Sequence, residues 1–249
     1  MLGQATASRK DMPVIRAART YLYDRFKGTE LIVLILFGIA SGGLFAFMRL
    51  TDEVMEGETH GFDDAILLAF RTATDPSVPT GPAWLAYVVR DITSLGGVTV
   101  LSLITLGTIG FLWLSRRPAV AVFVAISIAG GWLVSNVLKL GVARPRPDIV
   151  SHLVDVHDLS FPSGHAMLSA VTYLTIGALL CQTENSRAIR IYTMAVAMLL
   201  TLAIGCSRIY LGVHYPTDVL GGWCAGAVWA SGCWLIGRRI LKRYQTQPS

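Results

Sequence analysis

Six apolar stretches separated by polar punctuation lay out the chain. They run approximately over 31–48, 97–115, 119–138, 163–181, 191–206 and 219–236, each near the length that carries a helix across a hydrocarbon core of roughly 30 Å. Ser, Thr and Gly interrupt the fourth, and the fifth is short before Ser207. Both can extend outward through polar residues that face a protein interior, as a bundle allows and an isolated span does not. The pattern predicts an all-α polytopic membrane protein: six transmembrane helices in a bundle, with short extracytoplasmic helices after the first span.

Those short helices belong to the longest connection, 50–96. It opens with Asp52, Glu53, Glu56, Glu58, Asp63 and Asp64, after which Phe62, Ala65, Ile66, Leu68, Ala69 and Phe70 fit an amphipathic helix capped by the Asp pair. Pro76, Pro79, Gly81 and Pro82 break it, and Trp84 to Ile92 predicts a second short helix leading into the next span. Such elements can gate a substrate or cover apolar surface, and the pattern does not choose. Met12, Ile15, Ala18, Leu22 and Phe26 recur near helical spacing among basic residues, which suits an interfacial helix or a plain polar tail. The polar first 30 residues show no cleavable signal peptide.

Composition agrees on the solvent. Of 249 residues 53% are hydrophobic and only 15% charged, with a mean hydropathy of +0.55, too apolar for an ordinary soluble domain. With the N-terminus inside, 14 of the 21 Lys and Arg fall on the cytoplasmic side, from Arg9 and Lys10 through Arg116, Arg117, Arg187 and Arg190 to Arg243. That bias follows the positive-inside rule and accounts for most of the net charge of +5 as orientation and contact with anionic lipid. No basic face with readout groups suggests a nucleic-acid partner. Cys181, Cys206, Cys224 and Cys233 form no close pair and read as small packing residues, and Gly38/Gly42 and Gly222/Gly226 offer two spacings for close helix contact.

The six-span topology brings three polar clusters to the outer ends of spans three to six. They are Lys139 to Pro147, with Arg144 and Arg146; Phe161-Pro162-Ser163-Gly164-His165; and Ser207-Arg208 through His214 to Asp218. Lys139, Arg146 and Arg208 supply three permanent cations, two of them planar forks suited to a tetrahedral oxyanion. Ser163 adds a hydroxyl and Gly164 a backbone N–H at a helix start. Three cations without matching carboxylates repel when desolvated, so a phosphate that brings the missing charge makes sense of them. His214, positioned by Asp218, keeps one tautomer and a free nitrogen to attack phosphorus, and His165 can protonate the leaving oxygen and then activate water. The protein's own cations make a metal unnecessary, and Arg and Lys beside the histidines oppose a dication. Arg144 reads equally as a membrane-edge charge with a possible headgroup contact. His152 and His157 read as loop residues, and His60 has no companion.

Lys139 followed by six residues and Arg146-Pro147, then Pro162-Ser163-Gly164-His165, then Ser207-Arg208, five residues, His214, three residues and Asp218 resembles the complete tripartite signature of the type 2 phosphatidic acid phosphatase superfamily. The resemblance implies a phosphatase domain over 31–240, between a cytoplasmic segment 1–30 and a cytoplasmic tail 241–249. It implies that His214 forms a phosphohistidine, Asp218 orients it and His165 serves the leaving group. Lys139, Arg146, Ser163, Gly164 and Arg208 would hold the phosphate, with no cofactor. The family's substrates are lipid phosphates, and a rim site between helices suits a lipid entering sideways. The first expectation is a bacterial inner-membrane enzyme, its site facing the periplasm or exterior, acting on undecaprenyl diphosphate, phosphatidylglycerophosphate or both. A lipid A phosphatase or phosphotransferase of the same fold is the alternative, and a lipid transporter or flippase without turnover comes from a different class.

Overall fold

The computed structural model describes residues 29–156 and 158–245, so the expected interfacial segment 12–26 and His157 lie outside the described residues. The helices are α1 (Thr29–Glu56), α2 (His60–Ala69), α3 (Ala83–Ser94), α4 (Val98–Leu114), α5 (Pro118–Val142), α6 (Gly164–Thr183), α7 (Arg187–Tyr210) and α8 (Pro216–Gln245). Between α2 and α3 lies a small antiparallel hairpin, β1 (Arg71–Thr72) with β2 (Asp75–Pro79), pairing Arg71 with Pro79 and Thr72 with Asp75. The prolines expected to break the chain here sit in or just after that hairpin.

Among the described residues five helices, α1, α5, α6, α7 and α8, are each long and apolar enough to cross a membrane, and α3 with α4 make a sixth candidate only as a pair. Helix α4 has 17 residues, about 25 Å at 1.5 Å per residue, and falls short of a hydrocarbon core by itself. Helix α3 completes it across a bend of 42°. The bend sits at Leu95-Gly96-Gly97, where a Cβ on Gly96 would come within 2.3 Å of Ile204 Cγ2 on α7. Only glycine lets the backbone pass there. Helix α3 is thus the second short helix of the connection and, taken with α4, half of the sixth candidate span.

Helix α6 is the centre of the bundle, touching α4, α5, α7 and α8, while α1 packs along α8 and α3 leans on α7. The seam between α6 and α8 is drawn close by glycines. A Cβ on Gly222 would stand 2.6 Å from the Ser163 carbonyl, and one on Gly226 2.8 Å from that of Met167. The Gly38/Gly42 spacing on α1 meets nothing within 4 Å and makes no such seam. Large apolar side chains point outward instead, with Leu114 86%, Ile236 81% and Leu140 76% exposed. A surface of this kind is matched to lipid rather than to water.

Candidate active site

Helix α5 carries Lys139 in its last turn and stops at Ala143, whose left-handed φ of 52° turns the chain into Arg144-Pro145-Arg146-Pro147. The prolines cannot continue the helix. The stop leaves Arg144 and Arg146 on a short extended link beside the end of α8. Arg146 Nη1 donates to His214 Nε2 at 3.2 Å and to the Val213 carbonyl at 2.5 Å, which places the first cluster directly on the third.

The second cluster is tied to the third through backbone. The Ser163 N–H donates to the Asp218 carbonyl at 2.9 Å, so the start of α6 and the start of α8 form one unit. A Cβ on Gly164 would lie 3.6 Å from Lys139 Cε, so bare backbone keeps this first turn beside the lysine stem. His165 rests against Gly96, where a Cβ would meet its Cδ2 at 3.4 Å, and it lies within electrostatic reach of Arg208, Asp158, Lys139 and Arg146. Arg208, 3% exposed in the last turn of α7, donates to Thr93 Oγ1 of α3 at 3.1 Å. Its Nε and the Ser163 Oγ are buried with no partner among the described residues. A buried donor left unmet costs roughly 1–3 kcal/mol, a cost that is relieved when a ligand accepts from the donor.

His214 is 1% exposed, and its Nδ1 faces Ser160 Oγ at 3.4 Å and Asp218 Oδ2 at 3.5 Å. These contacts are long, as is common before substrate draws a site together. They assign the proton to Nδ1 and leave the Nε2 lone pair toward Arg146. Burial above all, then the charges of Arg146, Arg208, Lys139 and His165, hold His214 well below the usual imidazole range. It is a neutral base surrounded by cations.

Behind His214 lies a buried network that the spacing of the motifs did not announce. Asp218 accepts from Ser160 Oγ at 2.5 Å, the Tyr215 N–H at 2.8 Å and Arg144 Nη1 at 2.8 Å. Arg144 Nη2 reaches Asp63 of α2 at 2.8 Å, its guanidinium lies 4.0 Å over the Tyr215 ring, and Asp63 accepts from both the Thr217 N–H and hydroxyl. Burial alone would weaken the charge on Arg144, but Asp218 and Asp63 outweigh it and raise its pKa above the usual arginine value. The expectation of a headgroup contact for Arg144 is therefore corrected: at 6% exposure it is an internal strut between two carboxylates. The expected capping by the Asp pair is corrected too, since Asp63 turns inward and α2 has no side-chain cap bond at Thr59.

The cations at the front also have a carboxylate that sequence reasoning missed. Asp158 joins Lys139 Nζ at 2.5 Å and Arg146 Nη2. Burial would raise its pKa, but the bonds and charges of Lys139 and Arg146 prevail and hold it well below the ordinary carboxylate range. Asp63, Thr93, Asp158 and Ser160 stand outside the three clusters, and no local spacing links them to their partners. His152 bonds the Pro147 carbonyl within its own loop at 2.7 Å, and His60 stays apart from the cage. Among the described residues no group of three or more His, Cys, Asp or Glu is placed to hold a metal ion.

Helical spans enclosing a neutral imidazole, an oriented carboxylate and three buried or nearly buried cations define an integral-membrane phosphatase. Residues 119–242 match the PAP2 superfamily. The chain is 34% identical over 186 residues to phosphatidylglycerophosphatase B of Bacillus subtilis, covering 72% of this chain and 85% of that protein. It is 28% identical over 189 residues to a putative undecaprenyl-diphosphatase, YbjG, of Escherichia coli, covering 72% and 87%. The crystal structure of a transmembrane PAP2-type phosphatidylglycerolphosphate phosphatase from Bacillus subtilis superposes with a TM-score of 0.74 at 26% identity, covering 82% of this chain and 98% of that one. The chain belongs to the PAP2 superfamily and is a membrane lipid phosphatase.

Proposed function

We propose that the enzyme hydrolyses the terminal phosphate of undecaprenyl diphosphate, phosphatidylglycerophosphate or both, through a phosphohistidine on His214 and without a metal. The observation that carries this reading is the position of His214 Nε2, 3.2 Å from Arg146 Nη1, with Nδ1 turned toward Asp218 and Ser160. Once the phosphate takes over the Arg146 donor, the lone pair of Nε2 attacks phosphorus while the bond to the lipid oxygen breaks, and protonated His165 gives that oxygen its proton. Neutral His165 then takes a proton from water, whose oxygen attacks phosphorus as the P–N bond breaks, releasing inorganic phosphate. Lys139, Arg146, Arg208 and the first turn of α6 at Ser163 and Gly164 stabilise the equatorial oxygens, where electrostatic help is greatest. The two relatives are named for activities on lipids of these two kinds, and the outward-facing apolar surface suits a substrate arriving through the bilayer. The charge bias of the loops supports an inner-membrane location, both termini cytoplasmic and the site on the periplasmic or outer side.

The test is phosphate release by the purified protein in detergent from a side-by-side panel of both lipids, phosphatidic acid and a lipid A phosphate. Turnover is expected to persist in excess EDTA and to fall by at least about 10³-fold in His214→Ala. His165→Ala should trap an acid-labile phosphohistidine at position 214. Label recovered on serine or aspartate, or activity restored only by Mg²⁺, would overturn the mechanism.

A further inference from the structure

We infer that Asp158 is a resident counter-ion of the phosphate cage: its carboxylate holds Lys139 and Arg146 until an entering phosphate displaces it, so every anion that reaches the cage binds in competition with it. The inference rests on the reading of this cage as the phosphate site. One Asp158 oxygen takes Lys139 Nζ and the other takes Arg146 Nη2, and the charge of the carboxylate also acts on His165 and Arg208. A single carboxylate thereby binds two of the three cations assigned to phosphate, as a resident mimic of the ligand.

The Asp158 side chain is 60% exposed, whereas those of Lys139 and Arg146 are 9% and 10% exposed. It reaches in from the mouth, and rotation about its own side-chain bonds returns it to water. Its departure strands neither cation. Lys139 Nζ also donates to the Leu159 carbonyl at 2.5 Å, and Arg146 donates to the Val213 carbonyl at 2.5 Å and to the Asp158 backbone carbonyl at 2.8 Å. The backbone bonds hold the loop, so the carboxylate is free to serve as a latch.

Charge number then decides how readily an anion displaces it. A cage of three cations beside a bilayer faces a great excess of phosphodiester headgroups, each with one negative charge. A diester displacing Asp158 exchanges one charge for one and must outcompete a tethered carboxylate whose effective concentration is on the order of millimolar or higher. A terminal phosphate carries roughly −1.5 to −2 at neutral pH and gains attraction that the carboxylate cannot match. The carboxylate weakens both by the same factor, so the preference for a terminal phosphate comes from the ligand's own charge, and Asp158 sets the threshold that any anion must pass to occupy the cage.

The experiment compares wild type, Asp158→Asn, Asp158→Ser and Asp158→Glu, with phosphatidylglycerophosphate as substrate and phosphatidylglycerol as diester inhibitor in mixed micelles. Inhibition by phosphatidylglycerol should tighten about tenfold or more in the two uncharged variants and stay near wild type in Asp158→Glu. Unchanged or weaker inhibition in both uncharged variants would overturn the proposal. Binding of inorganic phosphate to the same detergent-solubilised proteins, by calorimetry, separates a latch from a loop anchor, because loss of a latch tightens binding and loss of an anchor weakens it. Wild type that neither binds inorganic phosphate nor releases it from any lipid would instead remove the phosphatase reading beneath it.

Discussion

At the scale of single residues, chemistry is divided between groups that face the cage and groups that hold them. Asp218 touches the imidazole only through Nδ1, and its other oxygen is committed to Arg144. Asp218→Asn should therefore leave KM near its wild-type value and lower kcat by roughly 10³- to 10⁴-fold, read by steady-state kinetics, because the tautomer is no longer enforced. Asp63→Ala should act one step further back. It leaves the buried Arg144 with one carboxylate and should cost roughly 3–5 kcal/mol of stability, seen as a lower Tm in detergent. His214 also gives the pH dependence a sign. Its folded pKa lies well below the free value of about 6.5. The unfolded chain thus takes up the proton first, and stability is complete above about pH 6.5 and declines as pH falls below it. Tm between about pH 7.5 and 5 should fall more steeply for wild type than for His214→Gln. A flat wild-type profile would contradict the buried neutral imidazole. The three motifs were legible because their residues lie within a few positions of one another. Asp63, Asp158 and Ser160 were not, since their partners lie 81, 12 to 19 and 58 residues away.

At the scale of elements, hydrophobic periodicity foretold where helices run better than where they end. Helix α1 continues through Asp52 and Glu53 to Glu56, and α8 runs to Gln245, past the boundary drawn at residue 240. Polar residues add turns beyond the apolar core at no cost when they reach headgroups or water. The pairing of α3 with α4 escaped the pattern, and the tight approach at its bend involves Ile204, more than 100 positions away from Gly96. The two glycine spacings looked alike, and only the one on α8 meets a neighbour, since contact depends on the facing helix and not on the spacing. Gly222→Val should consequently push α8 from α6, where the Ser163 carbonyl stands 2.6 Å from a Cβ. Overpacking of this order costs about 1–3 kcal/mol or more. Loss of Tm and of turnover together is expected, whereas Gly38→Val on α1 should change neither.

At the scale of the whole molecule, apolar side chains face outward and the charged groups of the site gather at one end, where α5, α6, α7 and α8 begin or end. That convergence was predictable from the parity of the spans, since alternate ends share a side. The contribution of the long connection was not. Its α2 supplies Asp63 to the strut behind His214, and its α3 supplies Thr93 to Arg208. Beside the roles of gate or cover, the connection therefore also supplies structural walls of the site. The strut has a consequence for how the protein can be divided. A fragment beginning at α5 would contain every signature residue, yet its Arg144 would lose Asp63 and its Arg208 would lose Thr93. Parts exchanged between relatives must therefore be cut upstream of α2, because the smallest inheritable unit of catalysis is longer than the stretch that spells it.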